Sequence, residues 1–304
     1  MNILGRTTQK RIISIIVILS LTLLFLWFIK KNGNENEGFS QELPFILKEG
    51  DDIFDDFYAQ IYDIIHKPNL YVDSITDDII RNTNINEDKC VSLVIAGDTG
   101  EQNNSFQSKG IDTYTIFKHI DMYNHSLIKF PNMKAKVDDL ENPMSYETNM
   151  FSHILCSGTT LYTMQNKEMF FRNVYNWLIP DGVFLLQLSD RSKFNTISNS
   201  INNTMVDSPQ KYHNERITDS EIDFGSFKYL SKYDFSDAEK DIVYFSETFT
   251  DSQTQHVRKQ DQILYMENID DILKIASKCG FSVFRKIVLI QDNNQFIYIL
   301  ERKH

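Results

Sequence analysis

One stretch of the sequence decides the fold: EMFFRNVYNWLIPDGVFLLQLSDRSKF, at positions 168–194. Apolar side chains recur at helical spacing through its first part, which predicts a helix over 167–178. The Pro-Asp-Gly sequence at 180–182 is typical of a tight turn, and the uncharged run at 183–188 is typical of a strand buried on both faces. The stretch is therefore predicted to form one helix-and-strand unit of a parallel sheet.

The residues before this stretch repeat the alternation of helices and strands. Aromatic and aliphatic side chains recur at steps of three and four residues over 54–65, which predicts an amphipathic helix. Short apolar runs predict strands at 91–95, 133–137 and 151–156. Strands and helices that alternate at this spacing indicate an α/β protein with a doubly wound, mostly parallel sheet.

The pattern changes after the deciding stretch. Alternating, aromatic-rich runs separated by polar turns predict an antiparallel meander, inserted at 205–266, with strands at 224–235, 241–250 and 257–266. A helix then follows and is stopped by Gly280. The last two apolar runs, 281–290 and 295–300, flank a polar turn and predict a terminal antiparallel hairpin. One domain over 51–304 accounts for all of these elements.

Composition and charge restrict the class of protein. The 304 residues are 41% hydrophobic and 24% charged, with 11 Gly and 6 Pro, which excludes collagen-like, disulfide-scaffold and wholly disordered chains. The net charge is −11, but residues 1–31 hold five basic and no acidic side chains, so the remainder carries −16. An acidic body repels phosphate backbones, and nucleic acid is therefore not expected as a partner.

An uncharged run at 12–29, IISIIVILSLTLLFLWFI, predicts a membrane anchor. Its 18 residues span roughly 27 Å as a helix, close to the bilayer core of about 30 Å. We assign 1–31 to a single-pass transmembrane anchor and the polar segment 32–50 to a tether. A buried soluble helix and a cleaved signal peptide are the alternative interpretations of the run.

The side of the membrane that carries the body is left open by the sequence. Basic residues stand on both sides of the run, at Arg6, Lys10, Arg11, Lys30 and Lys31. The excess before the run favours a cytoplasmic N-terminus, with the body on the other side. Glycosylation sequons at Asn103, Asn124 and Asn202 are compatible with that orientation. The localisation expected from sequence is therefore a membrane.

The cysteines and histidines carry no motif for a metal or a disulfide framework. The three cysteines, Cys90, Cys156 and Cys279, include no C-x-x-C pair. His125 and His153 stand alone in the sequence, and a surface role and a core role, respectively, are the favoured interpretations. No metal is expected as a cofactor.

Several segments together resemble the class I, Rossmann-like methyltransferases that use S-adenosylmethionine. The resemblance covers 54–302, and the deciding stretch is similar to the helix, turn and fifth strand of this family. The other segments that carry it are FDDFYAQIYD from 54, VSLVIAGDTG from 91, GIDTYT from 110, KVDDLENPM from 136 and MFSHILCSGTTLYTM from 150. The chain looks closest to the methyltransferase-like proteins of large DNA viruses.

The resemblance implies S-adenosylmethionine as the cofactor and assigns residues to its site. The implied cofactor-binding residues are Tyr58, Tyr62, Ala96, Gly97, Gly100, Asp112, Asp139, Leu140 and Cys156. Asp112, expected at the end of the second strand, would accept hydrogen bonds from the ribose hydroxyls, and Asp139 from the adenine amino group. Tyr162, Asp190 and Arg191 are the candidate substrate contacts. No catalytic base is identified, because positioning supplies much of the acceleration in methyl transfer.

Three residues depart from the family pattern in the glycine-rich segment. Val94 stands where the family has an acidic residue, and Ala96 and Asp98 stand where it has glycines.

The sequence therefore predicts a membrane-anchored methyltransferase acting on a small molecule or a protein side chain. A catalytically impaired binding or scaffold protein is the alternative that the departures favour. A nicotinamide oxidoreductase ranks behind both, because the chain lacks G-x-G-x-x-G.

Overall fold

The computed structural model describes residues 43–67, 71–83, 90–198, 209–237 and 241–303, and the isolated residues 15, 17, 20–22, 41, 85 and 200. Most of the predicted anchor at 12–29 and of the predicted tether at 32–50 lies outside these residues. Within the described part of the chain, no helix is long and apolar enough to cross a membrane.

Strands and helices alternate along the described residues. The helices are α1 (Asp56–His66), α2 (Val72–Thr83), α3 (Glu101–Ser108), α4 (Ile120–Lys129), α5 (Lys167–Trp177) and α6 (Ile269–Lys278). The strands are β1 (Phe45–Glu49), β2 (Val91–Ile95), β3 (Asp112–Phe117), β4 (Lys134–Val137), β5 (Phe151–Cys156), β6 (Leu178–Ser189), β7 (Asp219–Asp223), β8 (Phe227–Asp234), β9 (Ile242–Asp251), β10 (Val257–Tyr265), β11 (Phe281–Leu289) and β12 (Asp292–Arg302).

The larger sheet has the strand order β11-β12-β6-β5-β2-β3-β4. Strands β2 to β6 pair in parallel, whereas β12 lies antiparallel between β11 and β6. The predicted doubly wound sheet with a terminal hairpin is thus confirmed. The strand order reverses between β2 and β5, and sheets of this kind bind ligands outside the carboxyl ends of the strands at that point.

The deciding stretch packs as its pattern predicts. Phe170, Phe171 and Trp177 of α5 are fully buried against one face of the sheet, together with residues of α6. Helices α2 and α3 cover the opposite face, where Ile79 and Phe106 pack. Because both faces are covered, the central strands are buried along most of their length, and even polar side chains such as Ser92, Thr113 and Thr115 are buried there.

The turn at 180–182 lies inside β6 instead of before it. Leu178 already pairs with Phe151, and the register shifts before the next pair. Asp181 adopts a left-handed φ of 63° at this irregularity. A Cβ on Gly182 would lie 2.8 Å from the carbonyl oxygen of Ile179, so the bend requires glycine there.

A second sheet has the order β1-β10-β9-β8-β7. Strands β7 to β10 form an antiparallel meander, as the alternating pattern predicts, with β7 as an additional strand. The structure differs from the expectation of a tether up to residue 50, because Phe45–Glu49 pairs in parallel with β10. The side chains of β1 are alternately exposed and half-buried, as expected of a strand at the edge of a sheet.

Candidate functional site

The segment 96–100, here called the glycine turn, follows β2 at the carboxyl edge of the sheet. Gly100 adopts a φ of 91° and begins α3, and its N–H donates to Oδ1 of Asp98 at 2.8 Å. Burial raises the pKa of the half-buried Asp98 to about 6. Gly97 is exposed and Ala96 is half-buried, whereas Val94 is buried in the core between the sheet and helices α2 and α3. The turn thus exposes the backbone of Gly97, and its N–H is the group on offer to a ligand.

Hydrogen bonds hold helix α1 against the glycine turn. Asp55 caps its N-terminus by accepting from the N–H of Tyr58. The Tyr62 hydroxyl donates to the carbonyl oxygen of Gly97. Asp63 accepts a hydrogen bond from the Thr99 hydroxyl and pairs with Lys129. Tyr62 thus lies against the glycine turn, and its predicted contact with the cofactor stays a prediction.

Asp112 lies at the opposite edge of the sheet from the glycine turn. It is the first residue of β3 and pairs in register with Val91, the first residue of β2. Its carboxylate pairs with Lys134 at 2.6 Å on the surface. The expectation that Asp112 ends its strand and faces the cofactor is therefore wrong. The strand runs on through TYTIF, and its carboxyl end is Phe117.

A different carboxylate stands at the carboxyl end of β3. The Lys118 ammonium donates to Oδ1 of Asp51 at 2.7 Å. Phe54 stacks on the His119 ring with centroids 4.2 Å apart, and burial lowers the pKa of His119 to about 4. Asp51 precedes α1 in the chain, so no strand pattern indicated it.

The remaining predicted cofactor residues lie at the carboxyl ends of β4 and β5. Asp139 is exposed just after β4 and accepts from the N–H of Glu141. Leu140 is buried beside it in the main core. Cys156 ends β5 and is also buried, and burial raises the pKa of its thiol to about 12. Of these, the position of Asp139 suits a hydrogen-bond acceptor for a ligand.

A cleft of about 150 Å³ opens between the larger sheet and the second sheet. Its floor includes Gly158 and Thr159, which follow β5. The same loop abuts the glycine turn, since a Cβ on Gly97 would lie 2.3 Å from the Thr160 hydroxyl. The other lining residues are His66, Tyr162, Ser189, Phe194, Asn195, Thr196, Ile197, Ser198, Tyr229, Ser231, Tyr233, Phe245, Leu264, Met266 and Gln295.

Only one of the three predicted substrate contacts lines the cleft. Tyr162 does so, and its hydroxyl oxygen accepts from the N–H of Ser189 at 2.8 Å. Asp190 accepts from Ser192 within its own turn. Arg191 pairs with Asp241 and so ties the end of β6 to the meander. The contacts of Asp190 and Arg191 therefore give both residues a structural role outside the cleft.

A buried carboxylate behind the cleft has no counterpart among the predicted residues. Glu247, 3% exposed, accepts from the hydroxyls of Tyr58 at 2.9 Å and Tyr229 at 2.7 Å. His66 Nε2 lies 2.9 Å from the Tyr58 hydroxyl and, since that hydroxyl donates to Glu247, acts as the donor. Gln260 donates to the same carboxylate at 3.3 Å. We call Glu247, Tyr58, Tyr229 and His66 the Glu247 network.

Two sequence signals point to this network in retrospect. Tyr58, Tyr62 and His66 stand four residues apart and so share one face of α1. Glu247 falls in the buried phase of the alternating strand β9, where Val243 and Phe249 are apolar. Asp251 shares this phase but accepts from the backbone of the turn after β9, whereas Glu247 lies within the strand, where a buried acidic residue is unusual enough to mark a site.

Known proteins were compared with this fold and site. No protein-family model and no curated protein matches the chain. Solved structures do match. The methyltransferase CcbJ from Streptomyces caelestis superposes with a TM-score of 0.61 at 12% identity, over 84% of this chain and 98% of that one. An S-adenosylmethionine-dependent methyltransferase from Clostridium acetobutylicum gives 0.60 at 17% identity, over 82% and 99%.

A third match carries bound S-adenosylmethionine. CalS10, an amino pentose methyltransferase from Micromonospora echinaspora, gives a TM-score of 0.53 at 12% identity, over 76% of this chain and 90% of that one. The chain therefore has the fold of the class I S-adenosylmethionine-dependent methyltransferases. Within the described residues, no group of three or more His, Cys, Asp or Glu side chains is placed to hold a metal ion.

Proposed function

We propose that this chain is an S-adenosylmethionine-dependent methyltransferase that acts on a small molecule. The observation that carries the proposal is the loop after β5, which touches Gly97 through Thr160 and also lines the cleft through Gly158 and Thr159. A methyl donor at the glycine turn and an acceptor in the cleft would then be neighbours. Direct transfer requires such proximity.

The residues at the carboxyl edge suit the cofactor in part. Gly97 presents its backbone N–H to the methionine portion, since its carbonyl oxygen is bonded to Tyr62, and Asp139 presents a carboxylate to the adenine side. We assign the ribose hydroxyls to Asp51, because its carboxylate lies beside Lys118 at the end of β3. When bound, S-adenosylmethionine supplies an electrophilic methyl group on a sulfonium. The protein's task is to hold an acceptor in line with that group and to exclude water from the cleft.

Calorimetric titration of the full-length chain with S-adenosylhomocysteine tests this assignment. We expect measurable binding that Asp51→Ala weakens by roughly 10- to 150-fold, since charge-assisted hydrogen bonds contribute roughly 1.5–3 kcal/mol. Asp112→Ala is the matched control and is expected to leave the affinity unchanged, because Asp112 lies at the other edge of the sheet. The reverse order of effects would contradict the assignment to Asp51. No heat with any variant at millimolar ligand would contradict the proposed function.

A binding or scaffold protein derived from a methyltransferase is the second candidate. The observation in its favour is the tight packing at the glycine turn, where the hollow between Phe54, Gly97, Lys118 and His119 is only about 20 Å³. The half-buried Asp98 also adds a carboxyl group where the family has glycine. Absence of cofactor binding in the titration above, with a folded protein, is the result expected of this candidate.

We propose further that residues 12–29 anchor the protein in a membrane. The support is the 18-residue uncharged run with basic residues on both sides. The full-length protein, expressed in cells, is expected to stay in the membrane fraction after alkaline extraction, and a chain lacking 1–31 to leave it. Release of both chains would contradict the anchor.

A relationship to the methyltransferase-like proteins of large DNA viruses is also proposed, on the sequence resemblance alone.

A further inference from the structure

The lining of the cleft suits a neutral or positively charged acceptor. None of the described residues that line it is Lys, Arg, Asp or Glu. Aromatic rings and hydroxyl groups provide most of the surface. A cavity of about 150 Å³ accommodates a molecule of the size of benzene. A carboxylate or phosphate acceptor would lose its hydration here without gaining a cation from the lining.

One cation near the cleft is already engaged. The Arg216 guanidinium lies 4.7 Å from the ring centroid of Phe194, a lining residue. Arg216 donates to the carbonyl oxygens of Arg191 at 2.8 Å and Phe194 at 2.6 Å. The carboxylates of Asp190 and Asp292 act on the same guanidinium. Its two Nη groups are therefore already occupied by backbone carbonyl oxygens, while its Nε has no hydrogen-bond partner among the described residues.

A carboxylate lies behind two of the lining residues. Tyr229 lines the cleft, and its hydroxyl donates to Oε1 of Glu247. His66 also lines the cleft and reaches Glu247 through the Tyr58 hydroxyl, with Nε2 itself 3.9 Å from Oε1. Hydrogen bonds thus connect the acceptor space to a buried proton acceptor along two routes.

We propose that the cleft binds a small primary amine and that the Glu247 network accepts the proton which its ammonium group loses. The proposal rests on the proposed function, because it names the acceptor of that reaction. The ammonium gives its proton to Tyr229 or to His66. In the same step the Tyr229 hydroxyl, or the Tyr58 hydroxyl next to His66, gives its own proton to Glu247. The neutral nitrogen then forms a bond to the methyl carbon as the carbon–sulfur bond breaks. The products are S-adenosylhomocysteine and a methylammonium, and Glu247 later releases its proton to water.

The surroundings of Glu247 are consistent with this role. The titratable, charged and polar groups that face it are Tyr58 and His66 from α1, Tyr229 and Tyr233 from β8, and Arg258 and Gln260 from β10. Burial raises the pKa of Glu247 to about 7, against the hydrogen bonds and Arg258, which lower it. A carboxylate with such a pKa takes up a proton near neutral pH, as a general base must.

Three probes of similar size, which differ in charge, test the proposal on the full-length chain. Benzylamine, benzyl alcohol and benzoate are titrated calorimetrically at a pH of about 8, where Glu247 is ionised. We expect benzylamine to bind about tenfold more tightly than benzyl alcohol, and benzoate not to bind, because a nearby carboxylate attracts the ammonium. Glu247→Gln is expected to abolish the preference for the amine. Glu221→Gln, an exposed glutamate of the same sheet, is the matched control and is expected to retain it.

Two further measurements separate a proton acceptor from a merely structural carboxylate. Tyr229→Phe keeps the ring but removes one hydrogen bond to Glu247, and we expect it to reduce the amine preference in part. Wild-type affinity for benzylamine is expected to fall as the pH drops below about 7, whereas that of Glu247→Gln stays flat. Equal binding of benzoate, or an amine preference that survives in folded Glu247→Gln, would overturn the proposal.

The titrations are repeated with and without S-adenosylhomocysteine. Amine preference without any cofactor binding supports the acceptor site and contradicts the proposed methyltransferase. Cofactor binding without amine preference contradicts the inference and leaves the proposed function standing. The two failures are thus distinguishable.

Discussion

Replacing Trp177 with alanine is expected to lower the free energy of unfolding by about 3–5 kcal/mol. The indole is fully buried at the end of α5, its ring centroid lies 5.7 Å from that of Tyr146, and its Nε1–H donates to the carbonyl oxygen of Pro143 at 3.1 Å. Truncation removes a large apolar surface and leaves a cavity and an unpaired carbonyl. Urea unfolding with an unchanged slope would measure the loss.

Two control variants divide this effect. Trp177→Phe keeps most of the ring and is expected to cost about 1–2 kcal/mol, chiefly for the lost hydrogen bond and a small cavity. Met144→Ala changes a side chain that is 84% exposed and follows the same Pro143, and it should remain within about 0.5 kcal/mol of the wild type. A loss below about 1 kcal/mol for Trp177→Ala would show that this helix does not anchor the core.

The second large effect is a pH dependence of stability that originates at Glu247. Burial raises the pKa of this carboxyl from its ordinary 4.5 to about 7 in the folded chain. Between these two values the folded state holds a proton that the unfolded state has lost, so the stability falls as the pH rises. The contribution is fully present below a pH of about 4.5, and about 3 kcal/mol of it is lost by pH 8.

Glu247→Gln removes this titration. The difference in free energy of unfolding between Glu247→Gln and the wild type is therefore expected to shift by about 2.5 kcal/mol in favour of the variant between pH 5 and pH 8. Burial lowers the pKa of the neighbouring His66 to about 4. The contribution of His66 to stability has the opposite sign, because it increases as the pH rises from about 4 to about 6.5. Glu221→Gln, on the exposed side of the sheet, should show a flat difference. A flat difference for Glu247→Gln as well would contradict a raised pKa.

Much of the fold follows from local pattern. The stretch at 168–194 predicted a helix and a buried strand, and the final two apolar runs predicted the hairpin, because the spacing of apolar residues dictates which face of an element is buried. Strand β1 did not follow, since Phe45–Glu49 is short, stands in a polar segment and pairs with residues more than 200 positions away. Its pairing depends on an edge that only the folded meander provides.

The candidate site was predictable where it consists of a strand end followed by a turn. Gly97 and Gly100 follow β2 directly, and Asp139 follows β4, as the sequence resemblance implied. Asp112 was misplaced because β3 begins at this residue, directly after the turn that follows α3, and runs five residues further to Phe117. The direction of the strand was evident from the sequence. Which of its residues reach the carboxyl edge of the sheet depends on the residue at which its pairing with β2 begins.

The sequence by itself determined the class of fold, since periodicity and turn residues act over a few positions and need no distant partner. The tertiary structure alone decided the chemistry of the cleft. Glu247 and Tyr58 are 189 positions apart, and their hydrogen bond exists only because the meander packs against α1. Burial created by that packing gives the carboxyl its raised pKa, and no local pattern encodes the burial of two surfaces that meet only in the folded chain.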